Sequence, residues 1–570
     1  MLEDDWDAVA EGLPSVEDPF MQKYFGGRDA LIAQEKKQRT DHTFRENLSP
    51  TAAEACSIVA KIRQHEHRTV WDEDSGASQR ENVHPGMMFS LAKGHIENTR
   101  LWGIVRRMPK GALLHAHYDA MVNLDWLFEQ ALSTPGIHIR APAALCSGAA
   151  RESVPFTFVY AKTSVKKASI WSDGYIHNDT MSAVEAAETF PGGGRSQFLE
   201  WLRSRCTITL EQSTEHHLSQ NLVWNKFRSV FQIIDSILFY EPIYRASVRH
   251  ICEGLARDGI QWVEFRAACA FEYRREGCEV PEKSYSEVYR IFGEELDKFQ
   301  ASVEGKSFWG ARIIWTALRS VDQRHIIESM KDCIEVKMDY PDLVAGFDLV
   351  GQENLGRSLK SLTPEFFWFR KRTMEEGLDI PLFLHAGECL GDGDETDHNL
   401  VDALLLGTRR IGHGFSLFKH PLLIDMVKEK RILVECCPIS NEILRLTHSV
   451  ASHPLPALLA RGVPVALCND DPAIFRYDAF GASHDFWQVL QGLENVGLEG
   501  LGSIAENSVR YAAFEDQSGK EWVQGVKDAT LGRGVRASKL KEWAVEWERF
   551  CQWIIDEHGD AVGSDEDAER

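Results

Sequence analysis

The chain has 570 residues, of which 86 are Asp or Glu and 63 are Lys or Arg, and its formal net charge is −23. So acidic a surface repels a nucleic acid backbone, and no window reaches the roughly 20 apolar residues of a membrane span, so neither nucleic acid nor membrane is an expected partner. The start, Met1-Leu2-Glu3-Asp4-Asp5-Trp6, leads into no apolar stretch of signal length, and the twelve cysteines form no dense framework, which predicts a cytoplasmic protein with reduced thiols.

Residues 1–95 read as a mostly polar helical extension. The region 96–550 carries eight short apolar runs, at about 112–117, 260–266, 311–317, 343–350, 381–386, 409–413, 431–437 and 463–469. Runs apolar on both faces suit strands of a parallel sheet, and from the second onward the gaps hold amphipathic segments of helix length, such as 363–376 and 421–430. Eight strand and helix repeats predict an α/β fold closed as a TIM (β/α)8 barrel. The first gap breaks the rhythm. Roughly 140 residues follow His117 where a βα unit needs a few tens, so an inserted subdomain is expected at 131–220, around Gly192-Gly193-Gly194, with two helices at 221–257 returning to the barrel. Residues 551–570 read as an acidic tail, frayed at 564–570.

Five segments at the ends of these runs carry the chemistry: Leu114-His115-Ala116-His117, Leu384-His385-Ala386-Gly387-Glu388, Ile411-Gly412-His413-Gly414, Cys437-Pro438-Ile439-Ser440-Asn441 and Cys468-Asn469-Asp470-Asp471-Pro472. Side chains two apart on a strand point the same way, so His115 and His117 can grip one cation from one face. His385 and Asp470 can complete a His/His/His/Asp shell, leaving Glu388, His413 and Asp471 beside it to hold or move protons. Barrel enzymes build their sites from the carboxyl ends of separate strands, which turns distance in sequence into proximity. Other histidines fit less well. His65-Glu66-His67 lies among Arg63-Gln64 and Arg68, a solvated helical stretch on which i and i+2 diverge, and His216-His217 and His420 read as ordinary polar positions. His95-Ile96-Glu97 matches half of the cytidine-type zinc deaminase signature, but no Pro-Cys-x-x-Cys follows.

Met108-Pro109-Lys110-Gly111-Ala112-Leu113-Leu114-His115-Ala116-His117, His-Ala-Gly-Glu at 385–388, Gly-His-Gly at 412–414 and Asn-Asp-Asp-Pro at 469–472 resemble the adenosine deaminase family. Val223-Trp224-Asn225-Lys226-Phe227, Phe239-Tyr240-Glu241-Pro242, Trp262-Val263-Glu264-Phe265-Arg266 and Ala505-Glu506-Asn507-Ser508-Val509-Arg510-Tyr511 are similar to its growth-factor-related branch. The resemblance implies one Zn²⁺ per chain, held by His115, His117, His385 and Asp470, that lowers the pKa of a water towards ~7, with His413 accepting the water's proton and Asp470 sharing that duty. It implies that Glu388 protonates purine N1 as C6 is attacked, although a place three residues after His385 also permits a metal carboxylate. Asp471 would bind N7, a helix cap ahead of Pro472 being the other reading. The backbone N–H of Gly351 would meet N3, with Glu353 a nearby family carboxylate. Asp119 would hold a ribose hydroxyl or cap its loop, and Trp224 would wall the pocket or belong to the core. There are two departures: Gln352 replaces an acid common in its segment, and Ala317-Leu318-Arg319 stands where some animal members carry a polar Asp-His pair that bears on the sugar contacts.

The implied activity is zinc-dependent hydrolytic deamination of adenosine or 2′-deoxyadenosine, with a small-molecule purine nucleoside as the partner. Secreted members of the branch carry signal peptides, so a growth-factor role is not carried over. The nearest rival is an aminohydrolase for AMP, adenine or a modified adenine. AMP would call for clustered Arg or Lys at the ribose end, and none is apparent beside Asp119 or Gly351. A non-catalytic binding protein on the same barrel would have no chemical reason to keep the whole set of ligands, acid and base. The extension at 1–95 is a candidate contact for a homodimer.

Overall fold

A computed structural model of the chain describes residues 6, 9–71, 84–162, 168–214, 220–477 and 481–568, side chains excepted at 560–568. Strand β1 (Gly111–His117) is followed by β2 (Ile137–Arg140), β3 (Thr157–Tyr160) and β4 (Met181–Ser182), which form a separate antiparallel sheet of order β3-β2-β4. Then come β5 (Ile260–Ala268), β6 (Gly310–Leu318), β7 (Val344–Val350), β8 (Phe383–Ala386), β9 (Arg410–His413), β10 (Leu433–Cys436) and β11 (Val465–Leu467). These seven and β1 pair in parallel as two runs, β1-β5-β6-β7 and β8-β9-β10-β11. The runs meet at single bridges, Phe347 with Leu382 and Ala116 with Asp470, so the expected eight-stranded barrel is the fold of the chain.

Both seams have a local cause. At the first, the Phe347 N–H donates to the Pro381 carbonyl at 2.9 Å, and Gly346 permits the approach, because a Cβ there would stand 2.5 Å from that carbonyl and from the Phe383 ring. At the second, the His117 N–H donates to the Asp470 carbonyl at 2.9 Å and the Asp470 N–H to that of His115 at 3.2 Å. Backbone pairing alone thus brings three candidate site residues together. The strands read as apolar on both sides because helices cover the outside: on β7, Phe347 packs against Phe366 and Phe369 of the helix Thr363–Glu375, while Asp348 points into the barrel.

Between β1 and β5 the chain adds the small sheet and several helices. The boundary expected at 131 falls inside the helix Leu124–Ser133, whose Leu127, Phe128, Ala131 and Leu132 share one buried face, so the added segment begins earlier. It lies over the carboxyl end of the barrel. The Ile208 N–H donates to the Ile474 carbonyl at 3.0 Å, Gln220 Nε2 to that of Leu444 at 3.1 Å, and Arg445 to that of Gln212 at 2.6 Å. Two helices, Gln220–Leu238 and Glu241–Arg257, lead back to β5.

The extension packs its helix Pro50–Val70 on the long helix Val535–Ala568. His67 is exposed as expected, but Glu66 beside it turns inward and accepts the backbone N–H groups of Arg100 and Leu101 at 2.5 and 3.2 Å, capping the helix Arg100–Arg107. The division expected at 95 falls inside the helix Phe89–Ile96. That at 551 falls inside Val535–Ala568, where Cys551 and Ile554 are buried rather than part of a tail. His216, His217 and residues 1–5 lie outside the described residues. Among the described residues, no helix is long and apolar enough to cross a membrane.

Candidate active site

The carboxyl ends of β1, β8, β9 and β11 bring ligand atoms of His115, His385, His413 and Asp470 within 4.8 Å of one another, and His117, Asp470 and Asp471 form an overlapping group. Asp470 is the shared member: its Oδ1 lies 3.1 Å from His115 Nε2 and 3.2 Å from His117 Nε2. Both His115 Nε2 and Asp470 Oδ1 are buried without a hydrogen-bond partner, the state of atoms that await a cation. Two residues are held in the left-handed region, His413 at φ 62° and Asp470 at φ 58°, a backbone cost that surrounding structure must impose. Gly412 lets β9 come this close, since a Cβ would stand 3.1 Å from His115 Cε1 and 3.2 Å from His385 Cα.

Beneath these residues lies a layer of charge that the motif reading missed. His115 Nδ1 faces Glu435 Oε2 at 2.9 Å and His385 Nδ1 faces Asp348 Oδ2 at 2.6 Å, so each carboxylate draws the ring proton to Nδ1 and leaves the Nε2 lone pair for a metal. Arg266 ties the two carboxylates together, donating from Nε to Asp348 at 2.8 Å and from Nη2 to Glu435 at 2.6 Å. Arg410 links Glu435 to Glu264 at 2.5 and 2.6 Å. Glu264, Arg266, Asp348, Arg410 and Glu435 are all 0 % exposed. Burial lowers His385 to about 3, so the ring is neutral as ligation requires. Burial opposes the charged form of Asp348 and Glu435, yet His385 and Arg266 hold Asp348, and Arg266 and Arg410 hold Glu435, well below the usual carboxylate range. With Asp470, the buried carboxylates outnumber the guanidiniums that bond them, a local deficit of positive charge that a divalent cation offsets. Orphaned ligand atoms, neutral rings and this deficit all fit a divalent metal.

Arg266→Lys keeps the charge but cannot bridge two carboxylates at once. It should fold and lose roughly 10- to 100-fold in metal affinity, the usual cost of disturbing groups that orient ligands, as measured by chelator competition. Unchanged affinity would make Arg266 a structural cation only.

Glu388 stands outside the convergent atoms. Its Oε1 is buried, 3.6 Å from His413 Nε2, and has no hydrogen-bond partner. Glu353 fixes the turn beneath it by accepting the N–H groups of Gly387 and Glu388 at 3.3 and 2.9 Å, and is itself held by Asn399 Nδ2 at 2.7 Å. Burial, then Asp470 and Glu353, raise Glu388 well above the usual carboxylate range. Arg319, in the segment that departs from some animal members, donates from Nη2 to the carbonyls of Leu349 and His385 at 3.2 and 3.1 Å, and its Nη1 lies 4.0 Å from Glu353.

A hydrogen-bond chain determines which nitrogen of His413 carries its proton. The Leu455 backbone N–H can only donate, so His453 Nδ1 accepts it at 3.0 Å and His453 keeps its proton on Nε2. That proton goes to Asn441 Oδ1 at 3.0 Å, which turns Asn441 Nδ2 towards His413 Nδ1 at 3.4 Å. His413 therefore carries its proton on Nε2, the atom facing Glu388 and Asp470. In this tautomer His413 Nε2 is a donor towards Glu388 and Asp470. Asp470 Oδ2, which accepts from Ser440 Oγ at 2.7 Å, is the basic atom beside it.

A cavity of about 490 Å³ opens above these groups, and Asp119, Trp224, Gly351 and Asp471 line it together with His117, His385, Glu388, His413 and Asp470. His115 does not line it and lies behind it, its Nε2 3.1 Å from Asp470 Oδ1. Trp224 is buried against Phe227, with Nε1 unpartnered, and Gly351 adopts φ 103°. Burial and then Asp470 raise Asp471 well above the usual range, and its Oδ1 has no partner. Further polar residues line it, among them Gln352, read above only as a departure, and Asp235 and Arg228, which sequence reasoning did not single out. Gln352 donates to Asn221 Oδ1 at 2.8 Å; Asp235 hydrogen-bonds Asp119; and exposed Arg228, which donates to Asn225 Oδ1 at 2.5 Å, is a single cation and not a cluster. Residues set aside earlier have other uses: His95 packs on Trp71, Glu97 accepts from His484, and His420 Nε2 lies 3.0 Å from both oxygens of Asp397.

A family model described as Adenosine deaminase matches residues 206–529. Adenosine deaminase 2-A of Danio rerio is 30 % identical over 535 residues, covering 92 % of this chain and 93 % of its own. Adenosine deaminase 2 of Homo sapiens is 32 % identical over 473 residues, covering 82 % and 83 %. Among solved structures, an amidohydrolase from Burkholderia ambifaria with bound Zn superposes with a TM-score of 0.51 at 16 % identity, covering 80 % of this chain and 95 % of that one, which shows a shared fold.

Proposed function

The chain belongs to the adenosine deaminase family, in the growth-factor-related branch of adenosine deaminase 2, and on that premise we propose that it is a zinc-dependent hydrolase converting adenosine or 2′-deoxyadenosine to the inosine product and ammonia. The observation that carries this reading is the convergence of His115, His117, His385 and Asp470 beside a cavity into which Glu388 brings an unpartnered carboxyl. A divalent ion held by those four residues supplies a Lewis acid that lowers the pKa of a water towards ~7.

The rest is work for side chains. Asp470 Oδ2 draws the proton of the attacking water, and the His413 Nε2–H orients its oxygen towards purine C6. As C6 becomes tetrahedral, charge moves onto N1, and Glu388 delivers a proton there. Asp471 holds N7, the Gly351 N–H meets N3, and Trp224 covers the base. Segments of the insertion close over the barrel mouth and keep bulk water from the reacting atoms. The extension offers the surface of a homodimer on its helix Pro19–Lys36, which buries none of its residues and exposes Phe20, Tyr24 and Leu31.

The test is a substrate panel on metal-assayed protein. About one divalent ion per chain is expected, and ammonia release should be at least ~10-fold faster from adenosine or 2′-deoxyadenosine than from AMP, whose phosphate would meet one arginine and several carboxylates in the cavity. Adenine or AMP as the best substrate would replace the nucleoside reading. A metal-free protein inert towards every aminopurine would remove the enzyme reading.

A further inference from the structure

We propose that Asp235 is a specificity-determining residue which, with Asp119, forms a two-carboxyl receptor for the sugar hydroxyls of the substrate; this deepens the nucleoside deaminase reading and rests on it. Asp235 belongs to the helix Gln220–Leu238, eleven residues after Trp224, a spacing that returns to the same helical face after three turns. Trp224, Phe227, Phe231 and Asp235 all line the cavity from that face. One carboxyl therefore follows three aromatic rings on a helix whose Arg228, Ser229 and Gln232 also reach the cavity. A carboxyl so placed is costly unless something bonds it.

Its one protein partner among the described residues is Asp119, to which it hydrogen-bonds. Among the described residues, neither carboxyl forms an ion pair with an arginine or lysine, and the nearby charges include His117 and the carboxyl of Asp471. Oδ1 of Asp235 is buried with no hydrogen-bond partner. A pair of carboxyl groups without a counter-cation suits a neutral ligand that both donates and accepts, which is what an alcohol does. A phosphate would find no compensation there.

The remaining walls assign the pair to the sugar. Glu388 and Asp471 face the reacting edge of the base, and Gly351 supplies a backbone donor. Leu318, at the end of β6, is apolar and offers a hydroxyl nothing. Asp119 and Asp235 come from the exit of β1 and from the helix Gln220–Leu238, whereas Gly351, Glu388 and Asp471 follow β7, β8 and β11.

The experiment compares kcat/KM for adenosine and its 2′-deoxy, 3′-deoxy and 5′-deoxy analogues in the wild type, Asp235→Ala and Asp235→Asn. The wild type should penalise loss of at least one hydroxyl by about 10- to 100-fold, as expected where a buried polar site is left unpaired. In Asp235→Ala that penalty should shrink to within about 3-fold, with metal content unchanged. Asp235→Asn, nearly the same shape, should retain an intermediate penalty and serves if the alanine variant does not fold. Identical penalties in all three proteins, or no penalty for any analogue in the wild type, would overturn the assignment. A wild type that deaminates no aminopurine nucleoside would overturn the underlying function instead, so the two failures are distinct.

Discussion

Glu388→Gln should lower kcat by about 10³-fold while the metal stays in place and KM changes little. The amide still fills the space and can donate a hydrogen bond to N1, but it has no proton to give as charge develops there. The structure separates this role from ligation, because Glu388 lies outside the convergent atoms and its oxygen faces His413 at 3.6 Å. Its backbone is held by Glu353 through the main chain at 387 and 388, so the substitution leaves the turn intact. Metal analysis and steady-state kinetics on one preparation decide the matter. Loss of metal would make Glu388 a ligand, and wild-type turnover would make it a bystander.

His385→Ala should lose both metal and activity. Disturbing a group that only orients a ligand costs 10- to 100-fold in affinity, so removal of a ligand itself should cost on the order of 10³-fold or more. The same change strands Asp348, a buried carboxylate whose proton-bearing partner at 2.6 Å was His385 Nδ1 and which then has Arg266 alone among its ion-pair partners. Metal that binds only the folded state stabilises it by about 4 kcal/mol at a concentration 1,000 times its Kd, so the variant should also melt earlier and gain little from added Zn²⁺. Full occupancy after dialysis, with normal turnover, would break the ligand assignment.

The two substitutions also separate what was legible in the chain from what was not. The candidate ligands and acid could be read because each lies at or near the carboxyl end of a strand, where a polar residue breaks an apolar run. His115 and His117 share a side by the two-residue period, and Gly387 turns Glu388 inward at φ 76°. Repetition of short two-sided apolar runs was enough to predict a closed barrel. The limits of its attached parts were less legible, as the helices crossing 95, 131 and 550 demonstrate. Amphipathic periodicity runs through a boundary when a helix packs on two neighbours in turn.

The charged floor was hidden for a different reason. Asp348, Glu435, Glu264 and Arg266 lie inside strands that are otherwise mostly apolar, and a charged letter there does not say whether it points to solvent, to a helix or to the barrel interior. Closure of the barrel turns them inward within hydrogen-bonding distance, where Coulomb attraction in a dry interior makes one network of them. The proton on His413 Nε2 depends on Leu455, forty-two residues away, through two side chains that only the folded chain aligns.

Local order in the chain thus determined the strand repeats, the class of fold, the candidate metal ligands and the candidate acid, because each of these follows from period, punctuation and residue chemistry within a few positions. Tertiary structure alone decided which carboxylates hold the ligands, which tautomer His413 adopts and that Asp235 meets Asp119. These are contacts between separate elements, and their energies depend on distance and burial that no local pattern encodes.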